Sequence, residues 1–244
     1  MNIPFESSLQ DSHIVVFGGS SGIGLATAIA VKAMGANVTI VGRTLEKLQA
    51  AAHQIDGARF AVADMADRKS IEAVFDNMLQ VDHLVITAGG VHAGKLVESD
   101  PDKLLAEVNE HIAGSLYALK AAISRMPRTG SVVLMGGQFS DSPSVNGTSV
   151  MGLACRGIEA LAREVALEIK PIRVNVIAPG FVDTPLYDAF GPEGRAALLA
   201  HAADILPVGR IGRPEEIADA ITFLLRNEYM NCEVLHIDGG GRFV

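Results

Sequence analysis

The sequence predicts an α/β protein built on a parallel sheet with crossover helices. Three observations carry this. Short β-branched runs alternate with longer helical patterns along the whole chain. The apolar run Ile14-Val15-Val16-Phe17 leads into a glycine cluster, Gly18-Gly19-Ser20-Ser21-Gly22-Ile23-Gly24, which opens into the helix-like Leu25–Ala30. Finally, 244 residues at 49% hydrophobic content suffice for one α/β domain with a large core, so residues 1–244 are expected to form a single domain.

Strands are predicted over His13–Phe17, Asn37–Val41, Ala58–Ala63, His83–Thr87, Ser131–Met135, Arg173–Ile177 and Glu233–Ile237. Helices fill most of the gaps. One starts near Leu45, one near Arg68 with Asp67 as its N-cap, and a long one covers Asp102–Arg125. No repeat, low-complexity tract or linker interrupts the pattern.

Composition narrows the function classes. A net charge of -8 gives no basic patch, so no nucleic-acid partner is expected. Cys155 and Cys232 lie far apart without a CxxC, which suits a reducing cytoplasm. Met1–Ser12 has no signal-peptide pattern, and no apolar run approaches membrane-spanning length, so no membrane role is expected. No histidine pair has metal-ligand spacing, and no metal is expected.

The glycine cluster carries the functional expectation. Glycine permits a tight turn and a close approach of backbone to ligand, and the helix that follows points free N–H groups and a positive dipole end at an anion. The spacing Gly-x-x-x-Gly-x-Gly resembles the short-chain dehydrogenase/reductase family. That family usually has Thr before the first glycine; here Phe17 stands there, a bulky group expected to crowd the turn. The resemblance implies a doubly wound Rossmann fold with a seven-stranded parallel sheet of order 3-2-1-4-5-6-7. A nicotinamide dinucleotide would lie outside the carboxyl ends of the strands, with Gly18, Ser20, Ser21, Gly22, Ile23 and Gly24 around its phosphates.

After the second strand comes Gly42-Arg43-Thr44. No carboxylate is present to accept bonds from the adenosine ribose, while Arg43, with Thr44 beside it, suits a ribose 2′-phosphate. NADP(H) is therefore favoured over NAD(H). The resemblance assigns Asp64 to the adenine amino group and Met65 to the adenine face; an N-cap is the structural alternative for Asp64. Thr87-Ala88-Gly89-Gly90 stands where the family has Asn-Asn-Ala-Gly. Ala88, Gly89 and Gly90 keep the backbone surface for the cofactor, and loss of the Asn threatens local geometry. His92 in the following loop reads as solvated. On the long helix Asn109 matches the family's catalytic-set Asn, and Tyr117 and Lys120 read as structural.

The rest of the catalytic set is missing. The family's Ser falls at Gly137 or Gln138. Its Tyr-x-x-x-Lys falls on Met151 and Cys155 when Gly157-Ile158-Glu159-Ala160-Leu161 is aligned. The register of the enoyl-acyl-carrier-protein reductase branch puts the tyrosine at Thr148 and the lysine again at Cys155. Methionine offers no proton and a threonine hydroxyl is too weak an acid. Cys155 has a titratable thiol but is as readily a buried hydrophobe.

The distal half returns to the family pattern. In Pro179-Gly180-Phe181-Val182-Asp183-Thr184 the resemblance puts Pro179 and Gly180 beside the nicotinamide, the Val182 backbone at the carboxamide, and Thr184 at phosphate or carboxamide. Pro185 to about Ile205 matches a lid, whose Leu186, Tyr187, Phe190 and Leu198 suit a small apolar substrate and suit ordinary packing just as well. Pro207-Val208-Gly209-Arg210-Ile211-Gly212-Arg213-Pro214-Glu215-Glu216 and the terminal Leu235–Gly240 are structural signatures. Family members often form dimers or tetramers, and a homo-oligomer is expected. Two readings stand together: an atypical oxidoreductase with a different proton donor, or a catalytically silent cofactor-binding, regulatory or structural partner.

Overall fold

The computed structural model describes residues 9–89, 94–144 and 147–244. Seven parallel strands form one sheet: β1 (His13–Phe17), β2 (Asn37–Gly42), β3 (Arg59–Val62), β4 (His83–Ile86), β5 (Ser131–Met135), β6 (Arg173–Pro179) and β7 (Val234–Ile237). Their order is β3-β2-β1-β4-β5-β6-β7, as expected. The order reverses at β1, which pairs with both β2 and β4, so the crevice of a doubly wound sheet opens above the Phe17 end.

Seven α-helices are assigned among the described residues: α1 (Gly22–Ala33), α2 (Leu45–Gln54), α3 (Arg68–Phe75), α4 (Pro101–Ile123), α5 (Ser149–Glu168), α6 (Gly191–Ile205) and α7 (Pro214–Arg226). Burial alternates along β1. Val15 and Phe17 enter the core under α3, α4 and α5, while Ile14 and Val16 enter the core under α1, α2 and α7. That alternation corrects the expectation for Phe17. Its ring lies buried on the α3 side, stacked on Phe75 at 6.0 Å between centroids, and points away from the glycine turn.

Helix starts follow their caps. Asp67 accepts from the Lys69 backbone N–H at 3.0 Å, and Asp100 accepts from that of Asp102 ahead of α4. β6 runs two residues past its predicted end, because Ala178 and Pro179 pair with His236 and Ile237 of β7. Among the described residues no helix is long and apolar enough to cross a membrane.

Candidate functional site

The carboxyl ends of β1, β2, β4, β5 and β6 place the expected site residues along one crevice. The glycine turn sits against β2 and β4. Gly18, at φ +82°, donates its N–H to the Val41 carbonyl at 2.8 Å. A Cβ on Gly24 would lie 2.2 Å from the Gly18 carbonyl oxygen, so this turn admits no side chain there. α1 begins after Ser21 with no side-chain cap and no acidic residue in its first turn. Its N–H groups are thus left for an anion. Across the crevice Gly22, at φ +52°, comes within 3.3 Å of the Thr184 side chain, measured from an added Cβ. Thr184 is buried, so glycine loop and distal loop pack against each other here. Backbone without side chains and an open helix end are features that favour an anion.

Thr87 shows how the local geometry survives without the expected Asn. Its Oγ1 donates to the Phe17 carbonyl at 2.8 Å and stitches β4 to β1. Ala88 and Gly89 follow at the strand end, Gly89 at φ +117°. Gly90 and His92 lie outside the described residues.

At the β2 end, Ser20 Oγ lies 3.3 Å from where a Gly42 Cβ would be. Arg43 extends from the next position with its side chain two-thirds exposed, and Thr44 is the N-cap of α2. Asp64 is tied into its own turn, where its Oδ1 accepts from the Ala66 N–H at 3.0 Å and its backbone N–H meets Ser70. The cap of α3 is Asp67, so the structural alternative for Asp64 does not apply. Met65 is buried beneath Gly114 of α4.

One assignment needs correcting. Asn109 is exposed on α4. Two residues on, about 200° around the helix, His111 is only 6% exposed, with Nε2 3.1 Å from the Met135 carbonyl oxygen. A Cβ on Gly89 would lie 2.4 Å from His111 Nδ1, which has no hydrogen-bond partner. The α4 side chain that reaches the strand ends is therefore His111 and not Asn109. Burial holds its pKa below the ordinary histidine value, with the Met135 carbonyl opposing.

The first two turns of α5 carry Thr148, Met151 and Cys155 on one face, at helical spacing. Thr148 Oγ1 is spent on the loop, accepting from the Ser144 N–H at 3.2 Å. Cys155 is 7% exposed, and a Cβ on Gly137 would lie 3.2 Å from its Sγ, so the strand-5 loop and α5 meet there without a polar side chain on either side. Burial pushes the Cys155 thiol up to about 11, and the nearby Glu159 carboxylate adds to this. The neighbouring Gln138 is buried with Oε1 unpaired, close to Gly241.

Beyond β6, Gly180 packs on the Asp238 backbone, and Val182 bridges to Gly212. In the segment matched to a lid, a 3-10 turn (Pro185–Phe190) runs into α6, and Arg195 ion-pairs with Asp183 and Asp188. Burial raises the Tyr187 phenol above its ordinary value, partly offset by a hydrogen bond from the Val182 backbone. Two features were missed by the sequence reading. One is the Arg156 pair with Asp141 and Glu159, extended by His236 Nε2 at 2.8 Å from Asp141. The other is His111, which a spacing count on α4 would have brought into view. Among the described residues no group of three or more His, Cys, Asp or Glu could hold a metal ion.

A crevice at the switch of a doubly wound sheet, floored by a glycine turn, is a nucleotide-binding architecture. The family model described as Enoyl-(Acyl carrier protein) reductase matches residues 18–241. The chain belongs to the short-chain dehydrogenase/reductase family, whose members are nicotinamide-dependent oxidoreductases. It is 32% identical over 239 residues to the human 3-oxoacyl-[acyl-carrier-protein] reductase, spanning 95% of this chain and 98% of that protein. It is 31% identical over 234 residues to carbonyl reductase family member 4 of Xenopus laevis, spanning 92% and 95%. Among solved structures, a small-chain dehydrogenase in complex with NADPH superposes with TM-score 0.84 at 29% identity, covering 96% of this chain and all of the other (100%).

Proposed function

We propose that this chain binds NADP(H) as one domain spanning residues 1–244, and that proton delivery from α5, the family's route, is lost. The observation that carries the binding reading is the uncapped amino end of α1 facing Thr184 across a glycine turn. In this reading Gly18, Ser20, Ser21, Gly22, Ile23 and Gly24 take the pyrophosphate. Arg43 and Thr44 take the 2′-phosphate side of the ribose, and Asp64 and Met65 take the adenine. The backbone of the Ala88-Gly89-Gly90 stretch is assigned to the cofactor, and Pro179, Gly180, Val182 and Thr184 to its carboxamide end. The NADPH complex of a structural relative lends support to this cofactor.

When bound, the cofactor supplies a hydride. The chain's task would be to hold an acceptor beneath the lid, keep water out and protonate the product. Carbonyl reduction needs that proton on the oxygen, and a general acid is typically worth about 10²–10⁴-fold. Met151 has no proton to give, Thr148 is engaged with Ser144, and Cys155 is buried with a raised pKa. We therefore read the protein as an atypical oxidoreductase acting on an apolar acceptor whose reduction needs little acid help. The buried Cys155 favours a second reading, a cofactor-binding partner without turnover in a homodimer or homotetramer of the cytoplasm. Arg43→Ala tests the cofactor assignment. The dissociation constant for NADPH is expected to rise about 10-fold or more while that for NADH moves less than about twofold. Equal loss for both removes Arg43 from the ribose.

A further inference from the structure

Arg43 is not alone at the ribose corner. Its Nη1 lies 3.7 Å from Oε1 of Glu110, a side chain only about a quarter exposed (26%) on α4. Glu110 sits one helical turn before Gly114, whose added Cβ would come within 2.7 Å of the Met65 carbonyl oxygen. The carboxylate thus stands on a rigid helix beside the Asp64-Met65 turn, facing the one cation that the ribose reading invokes. Loop residues can retreat from an incoming phosphate; the α4 backbone, packed on α3 and α5, holds Glu110 near it.

We propose that Glu110 is a specificity-determining residue. Its carboxylate holds Arg43 and opposes a 2′-phosphate, narrowing the preference for phosphorylated over unphosphorylated adenine nucleotides. The proposal rests on the reading that Arg43 faces the ribose 2′-position. A dianionic 2′-phosphate must take Arg43 from Glu110 and then sit beside a like charge; a ribose with a free 2′-hydroxyl meets neither cost. Exposed ion pairs of this kind are weak. The device therefore tunes selectivity and does not switch it.

The test uses the full chain and the adenosine half of the cofactor, which keeps the nicotinamide end out of the measurement. Adenosine 2′,5′-bisphosphate and 5′-AMP are titrated calorimetrically into wild type, Glu110→Gln, Arg43→Ala and the double variant. Thermal melts check that each is folded. Glu110→Gln is expected to tighten the bisphosphate about 3–5-fold and move 5′-AMP less than about twofold, with the gain reduced at high salt. In the Arg43→Ala background the gain should fall below about twofold. An unchanged bisphosphate-to-AMP ratio in Glu110→Gln overturns the proposal and leaves the Arg43 reading standing. Weaker 5′-AMP binding in Glu110→Gln also overturns it, because Glu110 then accepts from the ribose hydroxyls. A wild type that binds neither nucleotide overturns both.

Discussion

Gly137 and Cys155 face each other, and in the proposed register they stand where the family carries polar side chains. A thiol raised to about 11 by burial and Glu159 stays protonated at neutral pH yet is a poor acid. The repair is defined by the same geometry. Gly137→Ser, Met151→Tyr and Cys155→Lys together restore a hydroxyl, a phenol and an ammonium on adjoining positions of the strand-5 loop and the α5 face. The folded triple variant is expected to gain about 10²-fold or more in NADPH-dependent reduction of a small aromatic ketone. A folded, NADPH-binding triple variant with no gain would show that Met151 and Cys155 are not the register. The contact between Gly137 and Cys155 was legible from the chain only as two alternatives for the lost serine. Residue-scale phase is where sequence reasoning failed. Asn109 and His111 differ by two positions on one helix, and only packing against Gly89 and Met135 decides which of them turns inward. Phe17 likewise reads as an obstruction until its strand face is known, after which it is core.

Elements were far more legible, because each carries its own local signal. β1 and β5 have the predicted bounds, and the Asp67 cap was readable from residue type and position. The β6 end was not, since its last two residues are strand through pairing with β7 and no local propensity marks them. A second element-scale device was also invisible: the carboxyl end of α7 is closed by a side chain from another strand. Arg173 of β6, 6% exposed, donates through Nη1 to the Leu224 carbonyl at 2.8 Å and to that of Met230 at 3.0 Å. Its Nη2 donates to the Leu225 carbonyl at 2.8 Å. These carbonyls have no intrahelical partner, and a planar fork reaches several at once. Arg173→Met should cost about 3 kcal/mol and lower Tm by roughly 6–12 °C, with Arg173→Lys recovering only part of it. A Tm change under about 2 °C in the Met variant would mean water caps the helix equally well.

At the scale of the whole molecule, stability carries the sign of its buried histidines. His83 pairs with Ser131 in the sheet, and burial lowers its pKa to about 4, with Asp82 opposing and Arg173 assisting. His111 is lowered by burial as well. In the unfolded chain both titrate at about 6.5, so below that value, and for His83 down to about 4, the unfolded state binds more protons. The stability linked to these neutral rings is complete above about pH 6.5 and is lost as pH falls through the window. For His83 alone the loss reaches about 3 kcal/mol. Urea denaturation from pH 7.5 to 5.0 should show this fall above the range where carboxylates titrate, and His83→Gln should flatten it. A flat profile in wild type would contradict the buried neutral rings.

At the scale of the whole molecule, the proposed cofactor residues and the reactive end differ in how the chain brings them together. Glycine turn, Arg43, Asp64 and the Pro179–Thr184 loop are short segments that one sheet gathers at its carboxyl edge. The reactive end depends on contacts between distant segments, Gly137 with Cys155 and Gly89 with His111. The central claim is that the crevice still takes a phosphorylated dinucleotide although the groups of the family's proton delivery are gone. Calorimetric titration of the wild-type chain with NADPH, with NADH as comparison, tests it most directly. The account predicts saturable one-to-one binding of NADPH, tighter than that of NADH. Absence of heat and of saturation with both would contradict it, and would mean that the open end of α1 and the Thr184 loop do not amount to a dinucleotide site.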